Sequence, residues 1–174
     1  MNITIINGTN RIGNRTIDIS TEVVKTAVRL NHTASIVTLD NFDMLFRGEK
    51  ITHENSAPNQ EMDMKAMIHS QIHLYVVPTY HTGIPSSLKN FFDILKCDEA
   101  FEGKIIGVIS SNNHGRDYGA RQAVQTITGI LSYGKLQSFL VPIIPIIDFD
   151  DIDTQRIEVY LRYCENFATK WFGK

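Results

Sequence analysis

A chain of 174 residues with 43% apolar and 21% charged side chains has the composition of an ordinary globular domain, large enough to bury a core without disulfide or metal staples. Its formal net charge of −2 gives no general attraction to nucleic acid or to an anionic bilayer. No apolar run approaches the ~20 residues that a membrane helix needs, and no basic segment followed by a long apolar one opens the chain, so neither a membrane span nor a secretory leader is expected. Cys97 and Cys164 match no metal or CxxC spacing. Both are expected as free, reduced thiols in a cytoplasmic protein.

The elements alternate along the chain. "ITII" near the start is short and β-branched, a buried strand. Across 15–30 the apolar positions Ile17, Ile19, Val23, Val24, Ala27, Val28 and Leu30 repeat at helical spacing. "ASIVTL" (34–39) reads as a second strand, and 40–60 is polar and irregular. "EMDMKAMIHSQ" (61–71) reads as a helix, and "IHLYVV" (72–77) as a third strand closed by Pro78. The stretch 86–96 is helical, with Leu88, Phe91, Phe92 and Leu95 on one side, as core or as subunit interface. "KIIGVIS" (104–110) is a fourth strand, followed by the loop "SSNNHGRDYG" and a helix ending near Leu131. "LQSFLVPII" (136–144) is a fifth strand, with Pro142 near its end. A last helix follows, capped by Asp153 or Thr154 and docked by Trp171 and Phe172.

No internal repeat or linker divides the chain, so 1–174 is expected to be one domain. Alternating strands and helices imply a parallel sheet covered on both faces. The strands are continuous apolar runs, as that arrangement requires. Ligands in open α/β sheets sit beyond the carboxyl ends of the strands. Function is therefore expected in the loops after strands one, three and four: "NGTNRIGNRT", "PTYHTGIP" and "SSNNHGRDYG".

The first of these enters a helix, where unpaired N–H groups and the helix dipole suit an anion, phosphate above all. Gly8 permits a sharp turn, Thr9, Asn14 and Thr16 can donate hydrogen bonds, and Arg11 or Arg15 can add charge-assisted ones. The alternative is plain capping by Asn14 or Thr16, with both arginines solvated. Gly8 and Gly13 have the spacing of a nucleotide-triphosphate loop. Asn14 and Arg15, however, stand where the lysine and the Mg²⁺-binding hydroxyl belong, which argues against a triphosphatase. The G-x-G-x-x-G dinucleotide fingerprint is absent, and no acids cluster after the first strand as a phosphoacceptor would need.

Residues Gly8, Thr9, Arg11, Asn14 and Thr16 resemble the first loop of the flavodoxin-like NAD(P)H-dependent FMN reductases, roughly G-S-x-R-x-x-S-x-[NS]. Their second loop, roughly P-x-Y-x-x-x-x-[PS]-x-x-L-K-x-x-x-D, is matched by Pro78, Tyr80, Pro85, Leu88, Lys89 and Asp93. The resemblance spans about 1–140, and its second motif is the more specific. Asn14 departs from a serine, and the third loop departs from the family's glycine-containing pattern.

The resemblance implies a flavodoxin-like three-layer α/β sandwich with a five-stranded parallel sheet of order 2-1-3-4-5. FMN and NAD(P)H are the implied cofactors. Thr9, Arg11, Asn14, Arg15 and Thr16 would surround the flavin's phosphate. Pro78, Thr79, Tyr80, His81, Thr82 and Gly83 would line its ring, with Ser110, Ser111 and Asn112 of the third loop nearby. The implied activity is hydride transfer from a nicotinamide cofactor to flavin and on to a small acceptor such as a quinone, an azo compound or free flavin. Two rivals remain: an FMN electron carrier of the flavodoxin type, which Arg11 and the modest charge disfavour, and a module that has kept the fold and lost the cofactor. A homodimer or homotetramer is implied, without nucleic acid or membrane partners.

Other residues admit two readings. Tyr80 either stacks on the flavin or packs against the neighbouring helix. His81 either contacts the flavin, as a proton donor, or is a surface histidine. His32, His53, His69, His73 and His114 show no ligand spacing, so no metal is assigned. The long connection 40–60 is of the length at which loops become functional, and in a dimer it could reach the partner's flavin.

Overall fold

The computed structural model describes residues 1–42, 47–112, 119–132, 138–141 and 145–173. The opening β-branched run forms β1 (Asn2–Asn7), flanked by parallel partners β2 (Thr33–Thr38) and β3 (Ile72–Pro78). β3 pairs in turn with β4 (Ile105–Asn112), and β5 (Phe139–Leu140) follows, giving the order β2-β1-β3-β4-β5 expected for a flavodoxin-like sheet. Among the described residues, all pairings between these strands are parallel. The loops at one end of the sheet therefore leave strands that point the same way.

Helices cover both faces. α1 (Thr16–Arg29) and α6 (Thr154–Phe172) bury Ile19, Val23, Ala27, Ile157, Leu161 and Cys164 against Ile3, Ile5, Leu74 and Ile109. α2 (Pro58–His69), α3 (Ser86–Ile94), α4 (Cys97–Phe101) and α5 (Ala120–Leu131) cover the other face, around Ile6, Tyr75, Val77 and Val108. Phe91, Phe92 and Leu95 are core rather than surface. The two phenylalanines join Phe101 of the short α4, unforeseen in the sequence, in an aromatic cluster with centroids 5.5–6.2 Å apart.

Two further elements, the start of α2 and the fifth strand, differ from expectation. α2 begins at Pro58, three residues early, because proline suits the first helical position and Gln60 Oε1 accepts the Ala57 N–H at 3.0 Å. The described parts of the 40–60 connection are fastened to this chain. Phe42 of the Leu39–Phe42 turn meets Phe91 edge-on at 5.1 Å, and Ile51 bridges Leu95.

The fifth strand is two pieces, β5 and β6 (Ile146–Asp148), laid along the same edge of β4. Phe139 sits beside Ile105 and Ile146 beside Ser110, so the chain takes seven residue steps where β4 takes five. Between them the ladder is completed from α6. The Tyr160 hydroxyl accepts the Val108 N–H at 2.9 Å and donates to Val141 O at 3.5 Å. Gly107 leaves room for Leu74 first and also for that ring: a Cβ there would collide with Leu74 Cδ2 and lie 3.3 Å from Tyr160 Cε1. Pro142 lies outside the described residues.

Asp153 caps α6, accepting the Arg156 N–H at 2.9 Å. The sequence reading of the other end fails: Trp171 and Phe172 are 38% and 47% exposed, and the helix docks through Ile157, Tyr160, Leu161, Cys164 and Ala168. Trp171 overhangs the edge strand and meets the Phe139 ring at 4.1 Å.

Candidate functional site

A cleft of about 200 Å³ opens at the carboxyl end of the sheet, lined by Arg11, Gly13, Asn14, Arg15, Thr16, Pro78, Tyr80 and Phe149. Three local structures build it. Gly8 lets the chain leave β1 pressed against β3, its N–H donating to Val76 O at 2.8 Å. A Cβ on Gly8 would stand 2.8 Å from that same oxygen. Thr9 is thereby buried, and its hydroxyl accepts the Arg11 N–H at 3.2 Å and meets the Tyr80 hydroxyl at 3.2 Å. Gly13, at φ +67°, returns the chain to the helix start.

At that start, Arg15 occupies the cap position without a capping side-chain bond. Asn14 performs that task from one residue earlier, accepting the Ile17 N–H at 3.1 Å and donating to Arg11 O at 2.9 Å. The Asp18 N–H bonds Arg15 O at 3.2 Å. The other two of the four N–H groups that open the helix, those of Arg15 and Thr16, belong to residues that line the cleft. Capping by Asn14 thus engages an N–H group other than those of Arg15 and Thr16.

The second structure is a tight turn after Pro78. Tyr80 and Gly83 exchange backbone hydrogen bonds of 3.0 and 2.9 Å, with His81 and Thr82 between them at φ +48° and +66°. Two successive left-handed residues make a type I′ turn, normally the province of Asn and Gly. For a β-branched threonine this conformation is strained. The turn directs Tyr80 back over the first loop, while His81 and Thr82 face solvent. Gly119, at φ +89° before α5, packs against it: a Cβ there would lie 2.9 Å from Thr82 Cα and 3.0 Å from Thr79 Cβ.

The third structure is the acidic turn after β6. It places Phe149 on the cleft and bonds the Asp150 carboxylate to the Arg15 guanidinium.

Of the residues singled out in the sequence, Arg11, Asn14, Arg15, Thr16, Pro78 and Tyr80 line one cleft, and Thr9 braces it. Thr79, His81, Thr82 and Gly83 form the adjoining turn. Ser110 and Ser111 are buried in the end of β4, and Asn112 is half-buried beyond them. The rest of that loop, 113–118 with His114, lies outside the described residues. Phe149 was missed. The apolar run in the sequence stops at 144, whereas strand pairing resumes past Pro145, so the loop after the fifth strand also reaches the site. Lys89 and Asp93 of the second motif pair with each other on α3 at 2.6 Å.

The residues present fit a phosphorylated ligand: two guanidiniums, a helix start and short hydroxyl and amide side chains converge. Further along the same end of the sheet, Asn7 Oδ1, Ser110 Oγ and Ser111 Oγ are buried without a hydrogen-bond partner among the described residues. Ser111 stands beside Pro78 in register. Unsatisfied buried polar atoms cost about 1–3 kcal/mol each and are tolerated where a ligand group completes them. Among the described residues, no group of three His, Cys, Asp or Glu side chains could hold a metal ion.

Comparison with known proteins gives a family and a fold. The sequence pattern of the NADPH-dependent FMN reductase family matches residues 1–143. Solved structures that share the fold include the following three. One is an oxidoreductase from Corynebacterium diphtheriae, at 17% identity and TM-score 0.71 over 99% of this chain and 97% of that one. The apo form of the NADH:FMN oxidoreductase EMOB is 15% identical, at TM-score 0.71 over 97% and 89%. A flavodoxin, WrbA-like protein from Agrobacterium tumefaciens is 15% identical, at TM-score 0.64 over 98% and 99%. No curated protein sequence matches. At these identities the structural likeness is one of fold.

Proposed function

Because this chain belongs to the NADPH-dependent FMN reductase family, whose cofactors are FMN and NAD(P)H, we propose that the cleft holds the terminal phosphate of FMN and that the adjoining turns hold its ring. The enzyme is a flavin-dependent oxidoreductase of that family. When bound, FMN supplies the redox chemistry, taking a hydride from NAD(P)H and giving electrons to a small acceptor. This chain's residues bind and orient. Arg11 and Arg15 offer charge, the N–H groups of Arg15 and Thr16 offer the helix start, and Thr9, Asn14 and Thr16 complete the ring of donors around the phosphate. Pro78, Thr79, Tyr80, His81, Thr82 and Gly83 line the ring from one loop, and Ser110, Ser111 and Asn112 from the next. The observation that carries this reading is the convergence of Arg11, Asn14, Arg15, Thr16 and Tyr80 on one cleft at a helix start.

The acceptor is a quinone, an azo compound or free flavin, and the protein acts in the cytoplasm as a single domain. Among the described residues, no helix is long and apolar enough to cross a membrane. The active species is a homodimer or homotetramer. Supporting this, Val159, Tyr163, Phe167 and Trp171 form an exposed i,i+4 row on α6, continued by Phe139. At ~200 Å² per side chain their exposed parts give roughly 400 Å², about half of what each partner contributes to a standard interface.

The test is NADPH or NADH oxidation by purified protein with FMN, followed at the nicotinamide absorbance band. Turnover supports the reductase. FMN binding without oxidation of either nucleotide assigns an electron carrier instead, and a protein that ignores FMN defeats both.

A further inference from the structure

The cleft contains a contradiction in charge. Arg15, one of the two cations among the described residues that line it, is already held by a carboxylate, that of Asp150. Asp150 is brought there by the same turn that places Phe149 on the cleft wall, and its N–H is fixed by Asp148 Oδ1 at 2.9 Å. The turn carries Asp148, Asp150 and Asp151, and Asp18 lies in the first turn of α1. A phosphate entering this cleft meets Arg15 with an anion already on it.

We propose that Asp150 is a built-in competitor for the flavin phosphate, which keeps FMN exchangeable, as a substrate is, rather than permanently held. This rests on the phosphate-cradle reading above. A phosphate monoester carries about −1.5 to −2 at neutral pH. To bond it, the Arg15 guanidinium must release Asp150 or share its N–H groups between two anions that repel each other. Both side chains are more than half exposed, at 55% and 71%, so solvent screens the pair and the effect is moderate. The opposite role, Asp150 orienting Arg15 toward the phosphate, predicts the opposite sign, and the two are separable by one substitution.

The experiment titrates the full chain with FMN and with riboflavin, following flavin fluorescence, for the parent, Asp150→Asn, Asp150→Ser, Arg15→Gln and the Asp150→Asn/Arg15→Gln pair. Removing the charge at 150 is expected to tighten FMN binding about three- to tenfold, with either substitution, and to leave riboflavin unchanged. Arg15→Gln is expected to weaken FMN less in the parent than in the Asp150→Asn background, because only there is the guanidinium fully available. The gain shrinks in high salt. If the parent prefers FMN to riboflavin but Asp150→Asn binds FMN equally or more weakly, the competitor role is overturned and the cradle stands. If the parent does not distinguish FMN from riboflavin, both fall.

Discussion

Gly8 offers the sharpest perturbation of the cradle, because its side-chain-free backbone is needed for contact, not for conformation. An alanine methyl at 8 would lie 2.8 Å from Val76 O and 3.2 Å from Val77 Cα, both rigid backbone of β3. The loop must move away by several tenths of an ångström. Doing so stretches the Gly8 N–H to Val76 O bond of 2.8 Å and shifts Thr9, whose hydroxyl positions Tyr80. Overpacking of this kind costs about 1–3 kcal/mol. Gly13→Ala is the internal control. It has φ +67° and nothing within 4 Å, so only the left-handed backbone opposes it. That costs about 1–2 kcal/mol, and asparagine at 13, which tolerates this region, should recover part of it.

Urea denaturation of the three variants measures the difference, with the midpoint falling and the slope unchanged. At about 2–4 °C per kcal/mol for a chain of this size, Gly8→Ala should lower the melting temperature by roughly 2–12 °C. FMN affinity should fall more for Gly8→Ala than for Gly13→Asn. A Gly8→Ala protein within ~0.5 kcal/mol of the parent would refute the close approach of loop and strand.

Tyr160→Phe leaves the buried Val108 N–H without its acceptor in the gap between β5 and β6. A loss of about 1–3 kcal/mol by urea denaturation is expected, and a neutral result would mean that the ladder closes without Tyr160. Burial holds the His73 pKa at about 3, against 6.5 in water, so between those values the unfolded chain binds a proton that the native one refuses. Stability is therefore full above pH 6.5 and drops on acidification by up to ~1.4 kcal/mol per pH unit. His32, lowered chiefly by burial, adds in the same direction. In His73→Asn the slope of stability against pH should fall by about one proton, and an unchanged slope would show that His73 protonates in place. Phe167→Glu, in the exposed row on α6, should shift the species seen by light scattering toward monomer, and an unchanged mass would place the subunit contact elsewhere.

The parts legible in the sequence were those with a local cause. β-branched runs fixed between turn residues became β1 to β4. Helical spacing at Ile19, Val23 and Ala27 became the buried face of α1. Of the three loops expected to carry function, the first two meet at one cleft because parallel strands end together, and most of the third lies outside the described residues. What escaped depended on partners distant in the chain. The fifth strand breaks and resumes because a tyrosine 52 residues from Val108 fills the missing rung, which no local pattern announces. Phe149 and Asp150 reached the site through that resumption. Trp171 meets the sheet at the Phe139 ring of its edge strand and stays exposed, which local spacing does not reveal. Arg15 looked like a phosphate ligand, and its engagement with Asp150, 135 residues away, depends on the fold.

The most direct measurement is the ratio of FMN to riboflavin affinity, since the two differ by the phosphate alone. Titration by fluorescence quenching should give FMN a preference of at least tenfold in the parent. That preference should be largely lost in the Arg11→Gln/Thr16→Val double variant, whose riboflavin affinity should not change. Equal affinity for the two flavins in the parent would contradict the assignment of the first loop as a phosphate cradle.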